Sequence, residues 1–343
     1  MFGVLTYSNN AFCQKKNAIK GEVIGKTKKD TILFVKGLLN EKYYQFSEIS
    51  SEVVENKFQI KYSFSYPQMY FLSWKSEQNN IPFYLEPFFL DESTTKIIVS
   101  AEKNEVVGSS ALEYTREFVP FVLNGTNIAD INTYMFEEGH EFDFKLADYI
   151  GHKPDSFVAL WVLINRFNEN GYSKIYENSL DKFSDKIKSG KLWKVISEDI
   201  KKIRIRDGEK FPELILKDIN LNSEKVILPE QKIILIDFWF SRCKPCLVQL
   251  PRLKEIYEKF AFTNKFDVVG ISTDKTVNID LWKTRIGENN LKWKNYLDEN
   301  AFESNNEKIT KFPTNFLLDI NGVVIKKNIS LYDLEEFLNE NLK

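Results

Sequence analysis

The stretch from Ile233 to Cys246 reads Ile-Ile-Leu-Ile-Asp-Phe-Trp-Phe-Ser-Arg-Cys-Lys-Pro-Cys, and it decides the fold. Its continuous apolar start, Ile233–Ile236, is typical of a strand buried on both faces of a sheet. The following residues, Cys246–Phe260, repeat apolar side chains at helical spacing and predict an amphipathic helix. Cys243 and Cys246 therefore stand where a buried strand gives way to a helix.

The position of Cys243 at the start of this predicted helix indicates its chemistry. Unpaired backbone N–H groups and the positive end of the helix dipole stabilise a thiolate there, and Lys244 adds a cation. Pro245 is tolerated in the first turn, where its missing N–H has no helical partner. Cys246 follows one turn later on the same face, within reach for a disulfide. The arrangement predicts thiol–disulfide exchange, with Cys243 as nucleophilic thiolate and Cys246 as resolving thiol.

The composition argues against several other functions. The 343 residues include 3 Cys and 2 His, too few for a disulfide-stapled scaffold or for a four-ligand zinc site near the pair. We therefore expect no metal, and no cofactor besides a redox-active disulfide between Cys243 and Cys246. A net charge of -2 gives no support for a nucleic-acid partner. No apolar run reaches the roughly 18 residues of a membrane span, so no stable span is expected.

The pattern predicts an α/β C-terminal domain over 206–343, a helical connector over 108–205, and a small all-β domain over 17–107. In the all-β part, short β-rich runs separated by polar residues predict an antiparallel sandwich or barrel. These runs are Ile19–Val23, Thr31–Val35, Phe58–Phe64, Met69–Trp74, Pro82–Leu85 and Lys96–Ser100. In the connector, a helix from Ala111 is expected to end at Pro120.

The first residues, 1–16, resemble the end of a signal peptide, with a polar turn, Ala11 and then charged chain from Lys15. They lack the basic start of a complete signal, so we expect the true start to lie upstream of Met1. A frayed N-terminus explains the same residues equally well. Cys13 lies in this stretch, far from the other two cysteines, and is not expected to be catalytic.

From Phe211 onward, strands and helices alternate in the order β-α-β-α-β-β-α, which predicts a mixed sheet with helices on its faces. Asn321-Gly322 lies between two apolar runs and predicts a hairpin, because both residues accept positive φ. The segment resembles the thioredoxin-like domain of the TlpA/ResA group of thiol–disulfide oxidoreductases. The features that carry the resemblance are Asp237–Cys246, Leu250–Phe260, Val268–Ser272 with Asp274, and Lys311–Gly322.

The resemblance implies roles for further residues. Pro313 matches the cis-proline of this fold, which would lie against the cysteine pair and leave the backbone of Phe312 free to bind substrate. Asp237 matches a buried acid that assists proton transfer at the resolving cysteine, although a structural residue at the strand end with backbone partners is the alternative. Trp239 belongs to the same motif. The implied partners are protein thiols and disulfides and an upstream electron donor.

The sequence departs from the family pattern beside the first cysteine. Arg242 stands where the family usually has an aromatic residue, and the common glycine before Pro313 is missing. Arg242 and Lys244 should both favour the Cys243 thiolate and attract acidic partners; two solvated charges with little effect on the site explain the same residues equally well. The redox potential and the choice of partner are therefore left open by the sequence.

The upstream half is similar to envelope proteins of Bacteroidetes-type bacteria, in which a β-rich domain of unknown function precedes the thioredoxin-like domain. The phrases that carry this looser resemblance are Lys20–Val23, Tyr66–Leu72 and Pro154–Phe157. It implies a cell-envelope or periplasmic location rather than a cytoplasmic one.

Two other functions fit parts of the sequence. A peroxiredoxin-like peroxidase shares the fold, but it has Thr or Ser three residues before its reactive cysteine, where this chain has Phe240. A non-enzymatic envelope binding protein would use the β-rich domain and carry the cysteine pair as a passenger. Nothing between Ala18 and Ile205 indicates a ligand for such a role.

Overall fold

The protein is described by a computed structural model covering residues 18–24, 31–37, 39–75, 87–100, 104–123 and 140–342. Its backbone divides into two compact units, one comprising 1–132 with 157–161 and the other 133–156 with 162–343. The predicted strand Pro82–Leu85, the predicted signal-peptide remnant 1–16 and Cys13 lie outside the described residues.

The described residues of the first unit form two four-stranded sheets, in the orders β4-β1-β7-β8 and β3-β2-β5-β6. All pairings are antiparallel except that of β1 with β7. The β-rich prediction is therefore confirmed. The strands are β1 (Ile19–Val23), β2 (Thr31–Lys36), β3 (Glu48–Val53), β4 (Lys57–Ile60), β5 (Gln68–Lys75), β6 (Phe88–Leu90), β7 (Lys96–Val99) and β8 (Asn104–Val107).

Alternation along the strands explains how these sheets bury one face. Ile19, Gly21 and Val23 of β1 are buried while the residues between them are exposed. Gly21 lies directly under the Phe58 ring of β4, where a Cβ atom would come within 2.0 Å of ring carbons. Only glycine leaves room for the aromatic ring at this point of the sheet.

The middle of the chain is helical, as predicted. Between Glu113 and Val119 the chain forms one π-helical turn, Tyr114–Phe118. The helices are α1 (Ser109–Glu113), α2 (Val119–Leu123), α3 (His140–His152), α4 (Phe157–Asn170), α5 (Lys174–Asp181), α6 (Asp185–Lys188) and α7 (Lys191–Lys202).

The expected helix end at Pro120 is wrong, because helical structure continues to Leu123. The π-helical turn supplies the reason: the N–H of Val119 donates to the carbonyl of Tyr114, five residues back. A widened turn changes the spacing of the carbonyl groups that a helical proline would otherwise meet.

A buried charge network joins three helices of the second unit. Arg166 of α4 is fully buried and donates to both carboxylate oxygens of Asp143 in α3, at 2.7 and 3.1 Å. The hydroxyl of Tyr176 in α5 donates to the same carboxylate at 2.9 Å. Because breaking a buried ion pair on one side costs several kcal/mol, this network fixes how the helices pack.

The second unit is built on a seven-stranded mixed sheet in the order β10-β9-β13-β12-β11-β14-β15. One apolar cluster lies on each face of the sheet, and the cluster that contains the cysteine pair also contains residues of the helices that pack on that face. Its elements are β9 (Ile215–Lys217), β10 (Ser223–Lys225), β11 (Ile233–Trp239), α8 (Lys244–Ala261), β12 (Phe266–Ser272), α9 (Ile279–Glu288), β13 (Lys294–Leu297), α10 (Phe302–Asn306), β14 (Thr314–Leu318), β15 (Val324–Lys327) and α11 (Leu331–Asn341).

Strand β11 lies within this sheet, between β12 and β14. It pairs parallel with β12 over its whole length and antiparallel with β14. Ile233–Ile236 are buried, as the continuous apolar run predicts for a strand covered on both faces. The carboxyl end of β11 leads through Phe240–Arg242 into α8, and this point carries the cysteine pair.

Candidate active site

Cys243 is the N-cap residue of α8, and its sulfur is bonded to that of Cys246. The Cα atoms of the two residues are 5.2 Å apart. The Sγ atom of Cys243 accepts the backbone N–H of Cys246 at 3.2 Å, and the Cys243 carbonyl accepts the N–H of Leu247 at 3.0 Å. Both cysteines are buried, with 3% and 6% of their surface exposed. The sulfur of Cys243 thus occupies the position that a capping oxygen fills in other helices.

This capping position has an electrostatic consequence for the reduced pair. The first backbone N–H groups of a helix lack partners and carry the positive end of the dipole. A negative sulfur at Cys243 would accept one of these N–H groups, so the site favours the thiolate. Pro245 lies in the first turn, as expected, where its missing N–H leaves no helical bond unmade.

Two cations flank Cys243 in the chain. Arg242 and Lys244 are both exposed. Within the part of the chain that the structure describes, neither forms an ion pair with a carboxylate. Solvent therefore screens their effect on the thiolate.

A buried carboxylate that the sequence analysis left without a role fixes the loop before Cys243. Asp274 follows β12 and is 2% exposed. Its two oxygens accept the backbone N–H of Ser241 at 2.8 Å and the Ser241 hydroxyl at 2.6 Å. The hydroxyl of Ser272 donates to it as well, at 2.7 Å. Asp274 therefore anchors the chain two residues before the reactive sulfur, and its place directly after a buried strand was the available signal.

The peptide bond between Phe312 and Pro313 is cis. The Thr314 hydroxyl donates to the carbonyl of Lys311 at 2.8 Å, bridging the two sides of that bond. The Phe312 ring meets the Phe240 ring edge-on, with centroids 5.4 Å apart. Phe240 lies just before the cysteine pair, so the cis-proline loop and the cysteine loop are in contact.

Asp237 lines a cavity of about 10 Å³ together with Cys246 and Pro313. A cavity of this size is about what one water molecule requires. Burial raises the pKa of the Asp237 carboxyl to about 7, since an ionised carboxylate there loses hydration. The structure thus brings Asp237, Cys246 and the cis-proline Pro313 to one small cavity.

The raised pKa predicts that Asp237 makes stability depend on pH. An unfolded aspartate has a pKa near ~3.9, so the folded protein binds this proton more tightly. The resulting stabilisation is complete below about pH 4 and is lost as pH rises through about 7. We expect the free energy of unfolding of the unmodified protein to fall by about 2 kcal/mol between pH 5 and pH 8 because of Asp237. Asp237→Asn lacks this titrating group and should not show that fall. Urea unfolding of both proteins at the two pH values measures this, and parallel pH profiles would contradict it.

An open groove of about 770 Å³ adjoins the cis-proline. Its walls come from α8, from the loop before β14 and from the start of α11. The lining includes Val248, Gln249, Arg252, Phe312, Pro313 and Leu331. Val248 is 71% exposed, so an apolar side chain of α8 faces solvent next to the site.

Comparison with known proteins assigns this part of the chain. Residues 231–324 match the family model described as Thioredoxin-like. This chain is 27% identical over 145 residues to the thiol–disulfide oxidoreductase ResA of Bacillus thuringiensis subsp. konkukian (strain 97-27), covering 42% of this chain and 80% of the relative. The C-terminal domain of this chain is thioredoxin-like. At the level of enzyme class, the prediction of a thiol–disulfide oxidoreductase is confirmed, as is the resemblance to the ResA group.

Solved structures similar to the thioredoxin-like domain include two from Bacteroides species. A thiol–disulfide oxidoreductase from Bacteroides fragilis NCTC 9343 is 25% identical, with a TM-score of 0.35, covering 38% of this chain and 98% of the other. The thioredoxin domain of a thiol–disulfide oxidoreductase from Bacteroides vulgatus is 26% identical, with a TM-score of 0.36, covering 40% and 98%.

The described residues contain neither a metal-ligand cluster nor a helix suited to span a membrane. No group of three or more His, Cys, Asp and Glu side chains among them is arranged to hold a metal ion. In the same residues, no helix combines the length and the apolar character needed to cross a bilayer. His152 lies in the last turn of α3, where its Nδ1 atom is 2.9 Å from the Asp148 carbonyl.

Proposed function

We propose that the thioredoxin-like domain exchanges disulfides with proteins, with Cys243 as the nucleophilic thiolate and Cys246 as the resolving thiol. The observation that carries this proposal is the capping position of Cys243, whose sulfur accepts the backbone N–H of Cys246, in the first turn of α8, at 3.2 Å. This hydrogen bond strengthens when the sulfur becomes negative. Cys246, inside the helix, has no comparable N–H to accept and remains the thiol.

The exchange then proceeds in two displacements. The Cys243 thiolate attacks one sulfur of a substrate disulfide, forming a mixed disulfide and releasing the other substrate sulfur as a thiolate. Cys246 loses its proton and attacks the Cys243 sulfur, which forms the Cys243–Cys246 disulfide and releases the second substrate thiolate. The substrate gains two electrons and the cysteine pair loses two. An upstream electron donor, itself a dithiol, reverses this to restore the pair.

Asp237 is the group that takes the Cys246 proton in this proposal. Both line the cavity of about 10 Å³, in which one water molecule can relay the proton. With a pKa of about 7, the Asp237 carboxyl exchanges protons readily at neutral pH. In the reverse direction the protonated acid returns the proton to Cys246.

The cis-proline loop presents backbone groups to the substrate in this proposal. Within the described residues, no hydrogen bond occupies the backbone N–H or carbonyl of Phe312. An extended segment that pairs with Phe312 would also run along the groove beside Pro313. Trp239 is buried behind the cysteine pair in the same apolar cluster and supports the loop from within. These features favour a protein segment as the substrate.

We further propose a cell-envelope or periplasmic location, in which disulfides persist. The similarity of the upstream half of the chain to Bacteroidetes envelope proteins supports this. The partners are then exported proteins with thiols or disulfides and a reductant on the same side of the membrane.

We expect Cys246→Ser to accumulate the mixed disulfide. Cys243 still attacks, but no thiol remains to displace the bound substrate. The reduced variant is mixed with an oxidised protein such as insulin, and the adduct is measured on a non-reducing gel. Adduct formation should disappear in the Cys243→Ser/Cys246→Ser double variant. An adduct that survives in the double variant, or none in Cys246→Ser, would count against the assigned roles.

A further inference from the structure

The C-terminal end of α4 contacts both strand β15 and the loop that carries the cis-proline. Gly171 follows the helix with φ at 70°, and its N–H donates to the carbonyl of Phe167 at 2.9 Å. The ammonium of Lys327 in β15 donates to the carbonyls of Asn170 and Tyr172, at 2.5 and 3.2 Å. A cation at a helix C-terminus meets the negative end of the dipole, so this contact is favourable.

The same helix end binds the segment that leads into the cis-proline. The ammonium of Lys311 donates to the Asn170 side-chain oxygen at 2.8 Å. Lys308 reaches the side-chain oxygen of Asn168 at 3.5 Å. Lys311 immediately precedes Phe312, whose bond to Pro313 is cis. The Asn170 side chain of α4 therefore binds the residue next to Phe312, whose backbone is the proposed substrate-binding group.

The helix end and the loop also touch through their backbones. A Cβ atom built on Gly171 would lie 2.6 Å from the carbonyl oxygen of Lys308, closer than such atoms approach. Its positive φ also favours glycine. Glycine at this position allows the helix end to press directly on the loop.

Lys311 is held on both sides. Its side chain is bound by Asn170, and its carbonyl accepts the Thr314 hydroxyl at 2.8 Å across the cis bond. A displacement of Lys311 would therefore move Phe312 as well. The cysteine pair is anchored separately, by Asp274 and by the first turn of α8.

We propose that Asn170 is a positioning residue for the substrate-binding face of the cis-proline loop, acting through Lys311. This inference rests on the proposed function, because it takes Phe312 as the place where a protein substrate pairs. It assigns the helical connector a part in recognition of protein disulfides. It leaves the chemistry of the cysteine pair to the thioredoxin-like domain alone.

The test compares Asn170→Ala and Lys311→Met with Asn170→Asp in the full chain. Asn170→Asp keeps an oxygen for the Lys311 ammonium and should behave like the unmodified protein. For the other two, kcat/KM for insulin reduction should fall about tenfold, mainly through KM, as loss of one charge-assisted hydrogen bond gives. The rate with the small disulfide dithiodipyridine and the reduction potential of Cys243–Cys246 should stay unchanged. Lys225→Met, which removes an exposed ion pair with Glu213, is the matched control.

Hydrogen exchange of segment 308–316, followed by mass spectrometry, provides a readout without substrate. We expect about tenfold faster exchange in Asn170→Ala and no change in Asn170→Asp or Lys225→Met. Unchanged exchange, or insulin reduction unaffected in both Asn170→Ala and Lys311→Met, overturns the positioning role. A chain that fails to reduce insulin in its unmodified form would refute the proposed function, while faster exchange in Asn170→Ala would still uphold the control of loop position.

Discussion

Replacing Cys243 with serine is expected to abolish reduction of insulin disulfides, with a loss on the order of a thousandfold or more. A serine hydroxyl does not ionise at neutral pH, so the helix N-terminus has no thiolate to stabilise. Cys246 alone cannot complete the exchange, because a single thiol can form a mixed disulfide but leaves no second thiol in the pair to resolve it. Turbidity of precipitating insulin with a dithiol as reductant measures the loss.

The third cysteine supplies the matched control for this experiment. Cys13→Ser removes a sulfur from the same chain and should leave the rate of insulin reduction unchanged. Full activity of Cys243→Ser, or a large loss in Cys13→Ser, would place the chemistry elsewhere. Rapid consumption of hydrogen peroxide by the reduced protein would instead favour the alternative of a peroxiredoxin-like peroxidase.

Asp274→Ala is expected to lower the free energy of unfolding by about 3 kcal/mol. The substitution leaves the buried N–H and hydroxyl of Ser241 and the hydroxyl of Ser272 without their acceptor. Water cannot replace it easily, since both serines are 0% exposed. The loop that carries Cys243 then loses its anchor, so the reduction potential of the pair should shift too. Urea denaturation and equilibration with glutathione buffers measure the two effects.

Asp267→Ala is the control variant for Asp274→Ala, because it removes another carboxylate from the same part of the chain, on β12 itself. Asp267 is partly exposed and pairs with Lys232 at 3.0 Å, so its removal should cost no more than about 1 kcal/mol. Equal destabilisation by the two substitutions, or an unchanged reduction potential of the cysteine pair in Asp274→Ala, would show that Asp274 does not anchor the cysteine loop.

The centre of the C-terminal sheet was predictable because its residues leave few alternatives. The apolar run Ile233–Ile236 can be buried on both faces only as an inner strand, and α8 carries its apolar residues on one side. The cysteine pair between them follows directly. The short strands β9, β10 and β13, on one side of the sheet, were not predicted, since three or four partly polar residues carry no period and become strands through their partners.

The hairpin predicted at Asn321-Gly322 forms, but the conformation of its turn is not the one expected. The hairpin is present, but only Gly322 has positive φ, at 75°. The Asp319 carboxylate also stabilises the turn, by accepting the backbone N–H groups of Asn321 and Val323, each at 2.8 Å. Such side-chain support depends on a residue outside the dipeptide.

The candidate site was only partly visible in the sequence. Cys243 and Cys246 came from spacing and context, and Pro313 and Asp237 from a resemblance. Asp274 and Asn170 act through contacts with residues far away in the chain, Ser241 and Lys311, and no local pattern contains such a pairing. The domain boundaries near 107 and 205 and the roles of the site residues stay predictions.

The place of β14 in the sheet has a consequence for synthesis on the ribosome. Strand β11 pairs on one side with β12, which follows soon after it, and on the other with β14, near the end of the chain. Until Thr314–Leu318 has emerged, the nascent chain holds an apolar strand with one open edge and an exposed cysteine pair beside it. We expect this interval to be the one in which the protein needs a chaperone most.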